Sequence, residues 1–357
     1  MTGAGPEERF LPWPVAWQAA LYGSGGFYRR PEGPAGHFRT ACHAGGDLLA
    51  AALARLARAA GCTAIVDVGA GRGELLRALA APGALPPGPG LRLHGADVVG
   101  RPPDLPERVG WSVGPQALPE DVLDGALVVG WELLDVVACP VLELDDGLVP
   151  RTVLVDPRTG AERLGPPAPD EHRAWCERWW PLQDPGPGDR MEVGSAREEL
   201  WSRLAARVAA TGSGGLLLAV DYSHERSTRP ATGTLVGYRG GRAVPPVPDG
   251  SCDVTAHVAL DSVAAAAAAL GGEQVLTVQA GALRGLGVPE GSGGPALRQD
   301  PVGALGAMER AGRARELLDP DGLGGFGWLL HGLGRGVPPQ VPGPRIRCGG
   351  GPARKAG

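Results

Sequence analysis

Short apolar runs and longer amphipathic stretches alternate along this chain. Ala64–Val68, 91–96, 125–130, 215–220 and 273–279 are compact apolar runs closed by Gly or polar residues, the pattern of strands buried on both faces. Between and around them, 48–60, Glu74–Ala80, 196–210, 254–270 and 302–318 have helical composition, with Leu49, Leu53 and Leu56 at core spacing in the first. Val141–Leu144 and 153–155 flank Asp145-Asp146-Gly147, and the Asp-Gly turn signal predicts a hairpin. A Pro-rich stretch then leads into a predicted helix over 171–180, whose Trp175, Trp179 and Trp180 cover the core. Strands alternating with helices predict an α/β fold, a doubly wound and mainly parallel sheet with an N-terminal helical region and an inserted subdomain. The expected divisions are an N-terminal region (1–60), a first part of the α/β core (61–140), an insertion (141–200), the rest of the core (201–290), a C-terminal helical segment (291–333) and a disordered tail (334–357).

Composition narrows the function classes. The 357 residues carry a net charge of −5, so no general basic field exists to hold nucleic acid. Arg nearly replaces Lys, Lys355 being the only lysine, which reflects a GC-rich genome more than a function. No apolar run reaches membrane-spanning length and no signal-peptide pattern opens the chain. No membrane contact and a cytoplasmic location are expected. Cys42, Cys62, Cys139, Cys176, Cys252 and Cys348 are scattered without a C-x-x-C, so reduced thiols and no metal site are expected.

The stretch Ile65-Val66-Asp67-Val68-Gly69-Ala70-Gly71-Arg72-Gly73-Glu74-Leu75-Leu76 joins a buried strand to a helix through alternating glycines. Gly permits the tight turn and a close backbone approach to a ligand, and the helix start offers unpaired N–H groups. Glu74 stands where a dinucleotide fingerprint needs a third small residue, and the chain has no G-K-[ST] of a P-loop. The pattern D-x-G-x-G-x-G resembles motif I of class I S-adenosylmethionine (SAM) methyltransferases.

Ligands in such sheets sit beyond the carboxyl ends of the strands. Asp67, Asp97, Glu132, Asp135 and Asp221 fall there. Asp67, Gly69, Ala70, Gly71, Gly73, Asp97 and Trp131 are candidate cofactor residues, Asp97 for ribose hydroxyls. Glu132, Asp135 and Asp221 are candidate catalytic residues. Glu132 and Asp135 would share a face if the chain turns helical after the strand, and so would Asp253 and His257 on the predicted helix. Asp253 reads equally well as a helix N-cap.

Six segments, in order over residues 16–333, resemble the MidA-like SAM-dependent methyltransferases, relatives of a mitochondrial complex I assembly arginine methyltransferase. They are Tyr22 to Tyr28 with Gly33-Pro34-Ala35-Gly36-His37-Phe38-Arg39-Thr40; the loop at 69–73; Trp131-Glu132-Leu133-Leu134-Asp135-Val136-Val137; Asp221-Tyr222-Ser223; Gly233-Thr234-Leu235-Val236-Gly237-Tyr238-Arg239; and Cys252-Asp253-Val254-Thr255-Ala256-His257-Val258. Leu317-Leu318-Asp319-Pro320-Asp321-Gly322-Leu323-Gly324 is similar to the family's C-terminal segment. The resemblance implies SAM as cofactor and an arginine side chain as acceptor, so a protein partner. A guanidinium stays charged, and carboxylates would orient it and share its departing proton.

The chain also departs from the family pattern. Trp131 replaces Asn, Cys42-His43 replaces Pro-Glu, His37 replaces Asp, and Gly240 or Gly241 stands for His. These changes fall on segments assigned here to the acceptor side. They keep two other readings open: a small-molecule methyltransferase, and a non-catalytic SAM-binding assembly protein whose acceptor site Trp131 fills. A homodimer is compatible with the sequence.

Overall fold

The computed structural model describes residues 9–30, 40–84, 90–291 and 300–348. The chain forms two compact units, one from 1–38, 133–202 and 222–266, the other from 39–132, 203–221 and 267–357.

The second unit is built on an eight-stranded sheet. Its strands in chain order are β1 (Ala64–Val68), β2 (Arg92–Asp97), β3 (Val109–Val113), β4 (Ala126–Trp131), β5 (Gly215–Asp221), β6 (Glu273–Val278), β7 (Gly327–Leu333) and β8 (Arg345–Arg347). They lie in the order β8-β6-β7-β5-β4-β1-β2-β3. β3, β2, β1, β4 and β5 are mutually parallel, and β7 runs antiparallel between β5 and β6. β1, β4, β5 and β7 are buried at every position, which explains why they are largely apolar. The connections from β1 and β4 diverge at this point of the order, which opens a crevice at their carboxyl ends.

Helix Ala41–Ala59 packs beside the sheet, burying Leu48, Leu49, Leu53 and Leu56. Inside it Gly45 leaves the helical region (φ −164°, ψ 50°). A Cβ there would lie 2.6 Å from Leu317 Cδ1, so glycine permits the close approach of helix Pro301–Leu318.

The first unit is largely antiparallel. Val141–Leu144 and Pro150–Val155 form the expected hairpin, with Leu142 opposite Thr152, and Leu11–Pro12, Glu162–Pro167 and Arg190–Glu192 extend it. A second sheet joins Val236–Arg239 to Arg242–Val244 and Asp253–Thr255. Trp13, Trp17, Leu21 and Phe27 pack with Val141, Val153 and Val254, while Trp175 and Trp180 form a further cluster with Leu142 and Met191.

Three sequence expectations need correction. The stretch 254–270 is not one helix: Asp253–Thr255 and Val258–Ala259 are strands, and the helix spans Leu260–Ala267. The β-branched Val254, Thr255 and Val258 take extended partners, with Tyr238 opposite Asp253 and the Val258 N–H donating to the Tyr222 carbonyl at 2.8 Å. Asp253 is therefore neither an N-cap nor on a helix face with His257. No helix follows β4 either, so Glu132 and Asp135 share no helix face and fall in different units. Finally, the part of the tail at 334–348 includes β8, paired with β6; residues 349–357 lie outside the described residues. The strands β3 and β7 were not foreseen.

Arg197 organises the first unit. Its guanidinium, 1% exposed, donates to the carbonyls of Asp135 at 3.0 Å, Val137 at 3.2 Å and His257 at 2.7 Å. Arg197→Leu would strand three carbonyls and remove the charge beside Asp135 and Glu192. We expect it to lower stability by roughly 3–5 kcal/mol in urea denaturation; a loss below about 1 kcal/mol would mean that the guanidinium does not join these segments.

Candidate functional site

The crevice of the second unit is built around the glycine loop. Gly69, Gly71 and Gly73 all have positive φ (76°, 55° and 78°), a region open to glycine and costly for other residues. The Gly69 and Ala70 N–H groups donate to the Ala96 carbonyl at 2.8 and 3.2 Å. These two residues therefore shape the loop, with their N–H groups already engaged. The Gly71 N–H donates to the Asp97 carboxylate at 2.8 Å, and the other oxygen of Asp97 accepts the Val99 N–H at 3.1 Å. Among the described residues, a Cβ on Gly71 would meet only the Glu74 carboxylate, at 3.6 Å.

Asp67 is the unusual group. It is 4% exposed, and no hydrogen bond reaches its carboxylate among the described residues. Burial, with Asp97 and Glu74 nearby, raises its pKa to about 8. Burial also raises Asp97, but less freely, because the N–H groups of Val99, Gly71 and Val98 and the Arg72 charge oppose it. A buried carboxylate without a donor, next to an open glycine loop, suits a ligand that brings a cationic donor.

Glu132 follows β4 with φ +51°, a left-handed backbone rare outside glycine. Its N–H donates to the Val220 carbonyl at 2.8 Å, and its carboxylate accepts the Ala41 N–H at 3.1 Å. Glu132 thus holds the start of helix Ala41–Ala59. Trp131, 6% exposed, packs edge-on against Trp328 at 5.6 Å, and its indole Nε1 has no partner among the described residues. Asp221 ends β5, fully buried.

The first unit holds the remaining candidates. Burial raises Asp135 to a pKa of about 6 against the opposing pull of Arg197. Tyr28 donates to Asp253 at 3.0 Å and stacks on Tyr22 at 5.5 Å. Burial, together with Asp253 and Asp135, pushes the Tyr28 and Tyr238 hydroxyls up. The ring of His257 stacks on Tyr222 at 5.6 Å, and burial and Arg197 lower its pKa. Glu192 accepts the Thr234 and Leu235 N–H groups at 2.7 and 3.2 Å, shaping the loop into Val236–Arg239.

The structure thus brings Asp67, Gly69, Ala70, Gly71, Gly73 and Asp97 together, and places Asp135 among Tyr28, Tyr238 and Asp253 in the other unit. Cys42-His43, read from the sequence as acceptor-side changes, belong to the second unit. His43 Nδ1 accepts the Thr40 N–H at 3.3 Å and pairs with the Thr40 hydroxyl at 2.8 Å, the work of a capping-box residue. Cys42 lies near Asp67, Glu132 and Glu74. The His37 change lies outside the described residues. Arg197 and Glu192 escaped the sequence reading, since neither sits in a motif. The Tyr28–Asp253 pair joins two quoted segments whose proximity only the fold reveals. Among the described residues no His, Cys, Asp or Glu group is arranged to hold a metal, and no helix is long and apolar enough to cross a membrane.

Gly71→Val should strain the loop and put branched bulk where the backbone must approach a ligand. In calorimetric titration we expect S-adenosylhomocysteine affinity to fall by roughly a hundredfold or more, on the order of 3 kcal/mol. Unchanged affinity would place the cofactor elsewhere.

Comparison with known proteins identifies the family and the cofactor. A family profile described as "Putative S-adenosyl-L-methionine-dependent methyltransferase" matches residues 88–278. That stretch begins after the glycine loop, so the loop's reading rests on its own geometry. A crystal structure of a superfamily member from Burkholderia thailandensis, bound to S-adenosyl-homocysteine, is similar at a TM-score of 0.69 with 25% identity, covering 94% of this chain and 95% of that one. A native crystal structure of an uncharacterized superfamily protein from the same organism is similar to the same degree, at a TM-score of 0.69 and 25% identity over 94% and 95% of the two chains. No curated protein matches the chain. With more than half of its length matched, the chain belongs to this family of SAM-dependent methyltransferases, and SAM is its cofactor.

Proposed function

We propose that this protein is a class I, MidA-like methyltransferase that transfers a methyl group from SAM to an arginine side chain of a protein. The strand order β3-β2-β1-β4-β5-β7-β6, with β7 reversed, supports the class I reading. The observation that carries the cofactor side is the buried Asp67 carboxylate beside the open glycine loop. Asp67 would take the cofactor's ammonium, Asp97 its ribose hydroxyls, and Gly71 and Gly73 the close backbone approach. Trp131 would wall the site. When bound, SAM supplies an activated sulfonium methyl.

The protein's own groups must then orient the acceptor and receive its proton. Asp135 suits the second task, because burial keeps its pKa near 6 and it is mostly ionised at neutral pH. Asp253, with Tyr28 and Tyr238, would orient a cationic side chain. Glu132 is assigned to holding the helix start, and Asp221 to the wall of the cofactor unit.

Asp135→Asn should slow methyl transfer by roughly a hundredfold or more while leaving S-adenosylhomocysteine affinity within about threefold. In the wild type the carboxylate is the working form, so the rate should fall as pH drops through about 6. Labelled SAM, a cell extract and detection of methylarginine after hydrolysis provide the assay. Equal losses of rate and affinity in Asp135→Asn would assign that residue to the cofactor.

One observation favours a second reading. Trp131 stands where the resembled family has Asn, and it is absorbed into packing against Trp328. Tight SAM binding with no methylated product from any extract would select the non-catalytic, SAM-binding assembly protein.

A further inference from the structure

The start of helix Ala41–Ala59 supports an inference that rests on the cofactor reading above and extends it. Cys42 stands where the resembled family has Pro. Four of the six cysteines are buried residues, whereas Cys42 and Cys348 are partly exposed. Even so, burial pushes the Cys42 thiol well above its ordinary pKa, and the nearby Asp67, Glu132 and Glu74 carboxylates push it further. A largely enclosed thiol on a residue that keeps some exposure lines a recess. The adjacent residue fixes where that recess lies, since the Ala41 N–H is bonded to the Glu132 carboxylate at 3.1 Å, directly after β4.

An independent observation shows that the same recess is built for a ligand. Asp67, 4% exposed, accepts no hydrogen bond among the described residues, yet it lies close enough to act on Cys42. In the sheet, β1 with Asp67 lies between β4, at whose end the helix start is bonded through Glu132, and β2, which ends at Asp97. Cys42 is therefore at the Asp67 end of the crevice, away from the acid that would take the ribose.

We propose that Cys42 is a wall residue of the SAM site, set against the amino-acid end of the cofactor, and that the bulk at position 42 decides whether cofactor enters. A small thiol leaves that end open. A capped thiol closes it, so covalent modification of Cys42 and cofactor binding exclude one another.

N-ethylmaleimide tests this by peptide mass spectrometry at about pH 8. The thiolate adds to the maleimide double bond, forming one C–S bond, and a proton goes to the neighbouring carbon, with nothing oxidised or reduced. Saturating S-adenosylhomocysteine should slow Cys42 labelling by about tenfold or more and leave Cys348 unchanged. Saturating 5′-methylthioadenosine, which lacks the amino-acid end, should slow it by less than about threefold. Equal protection by the two ligands, or labelling of Cys42 at the free rate in protein shown by calorimetry to be saturated, would overturn the proposal.

A pair of variants decides the matter if the thiol resists labelling. Cys42→Trp should weaken S-adenosylhomocysteine binding by roughly a hundredfold with an unchanged melting temperature, and Cys42→Ala should bind within about threefold of wild type. Normal binding by Cys42→Trp would overturn the proposal. A wild type that binds no S-adenosylhomocysteine would instead bring down the cofactor reading on which the proposal rests.

Discussion

The hydrogen bond from the Gly71 N–H to the Asp97 carboxylate is the constraint on which the cofactor crevice depends. It ties the loop after β1 to the end of β2, and it requires Gly71 to hold a positive φ that other residues adopt only at a cost. The same bond brings Asp97 near the buried Asp67, which also has Glu74 nearby. Burial disfavours the charge on Asp67, and repulsion from the two nearby acids adds to that. Asp67 therefore keeps its proton to about pH 8, while Asp97, held by backbone N–H groups, gives up its proton more readily. Loop geometry and charge are thus one arrangement, suited to a cofactor carrying an ammonium and a sulfonium.

The other unit is organised by a buried cation. Arg197 gathers the carbonyls of Asp135, Val137 and His257, and its charge moderates Asp135 and Glu192. Without it, burial alone would drive Asp135 higher and leave less carboxylate at neutral pH. A single side chain thereby links the packing of this unit to the protonation of the group proposed to handle the acceptor's proton.

Much of the second unit was legible in the sequence because its signals are local. The run through Ile65 to Val68, the alternating glycines and the leucines of Glu74–Ala80 specify strand, turn and helix within a dozen residues. The unread parts depend on distant partners. β7 carries His331 in its middle, a break in an apolar run that makes sense only once the Gly271 carbonyl, 2.7 Å from the ring, is in place. The stretch 254–270 was misread because its alanine-rich end is helical, while Val254 and Val258 are claimed by strands elsewhere in the chain. His43 looked like a loss of chemistry, but its Nδ1 fills the capping position that a Glu would fill. Cys42 could not be placed from its neighbours, since nothing local says that helix Ala41–Ala59 begins at the end of β4.

The central claim is that Asp67 is a protonated acid in the free protein and a carboxylate once cofactor is bound. Calorimetric titration with S-adenosylhomocysteine near pH 7, in buffers of different ionisation enthalpy, counts the protons exchanged. With the free Asp67 pKa at about 8, the ammonium should expel a proton, a release on the order of one per site that disappears in Asp67→Asn. Binding of S-adenosylhomocysteine to the wild type with a heat independent of the buffer would contradict the account.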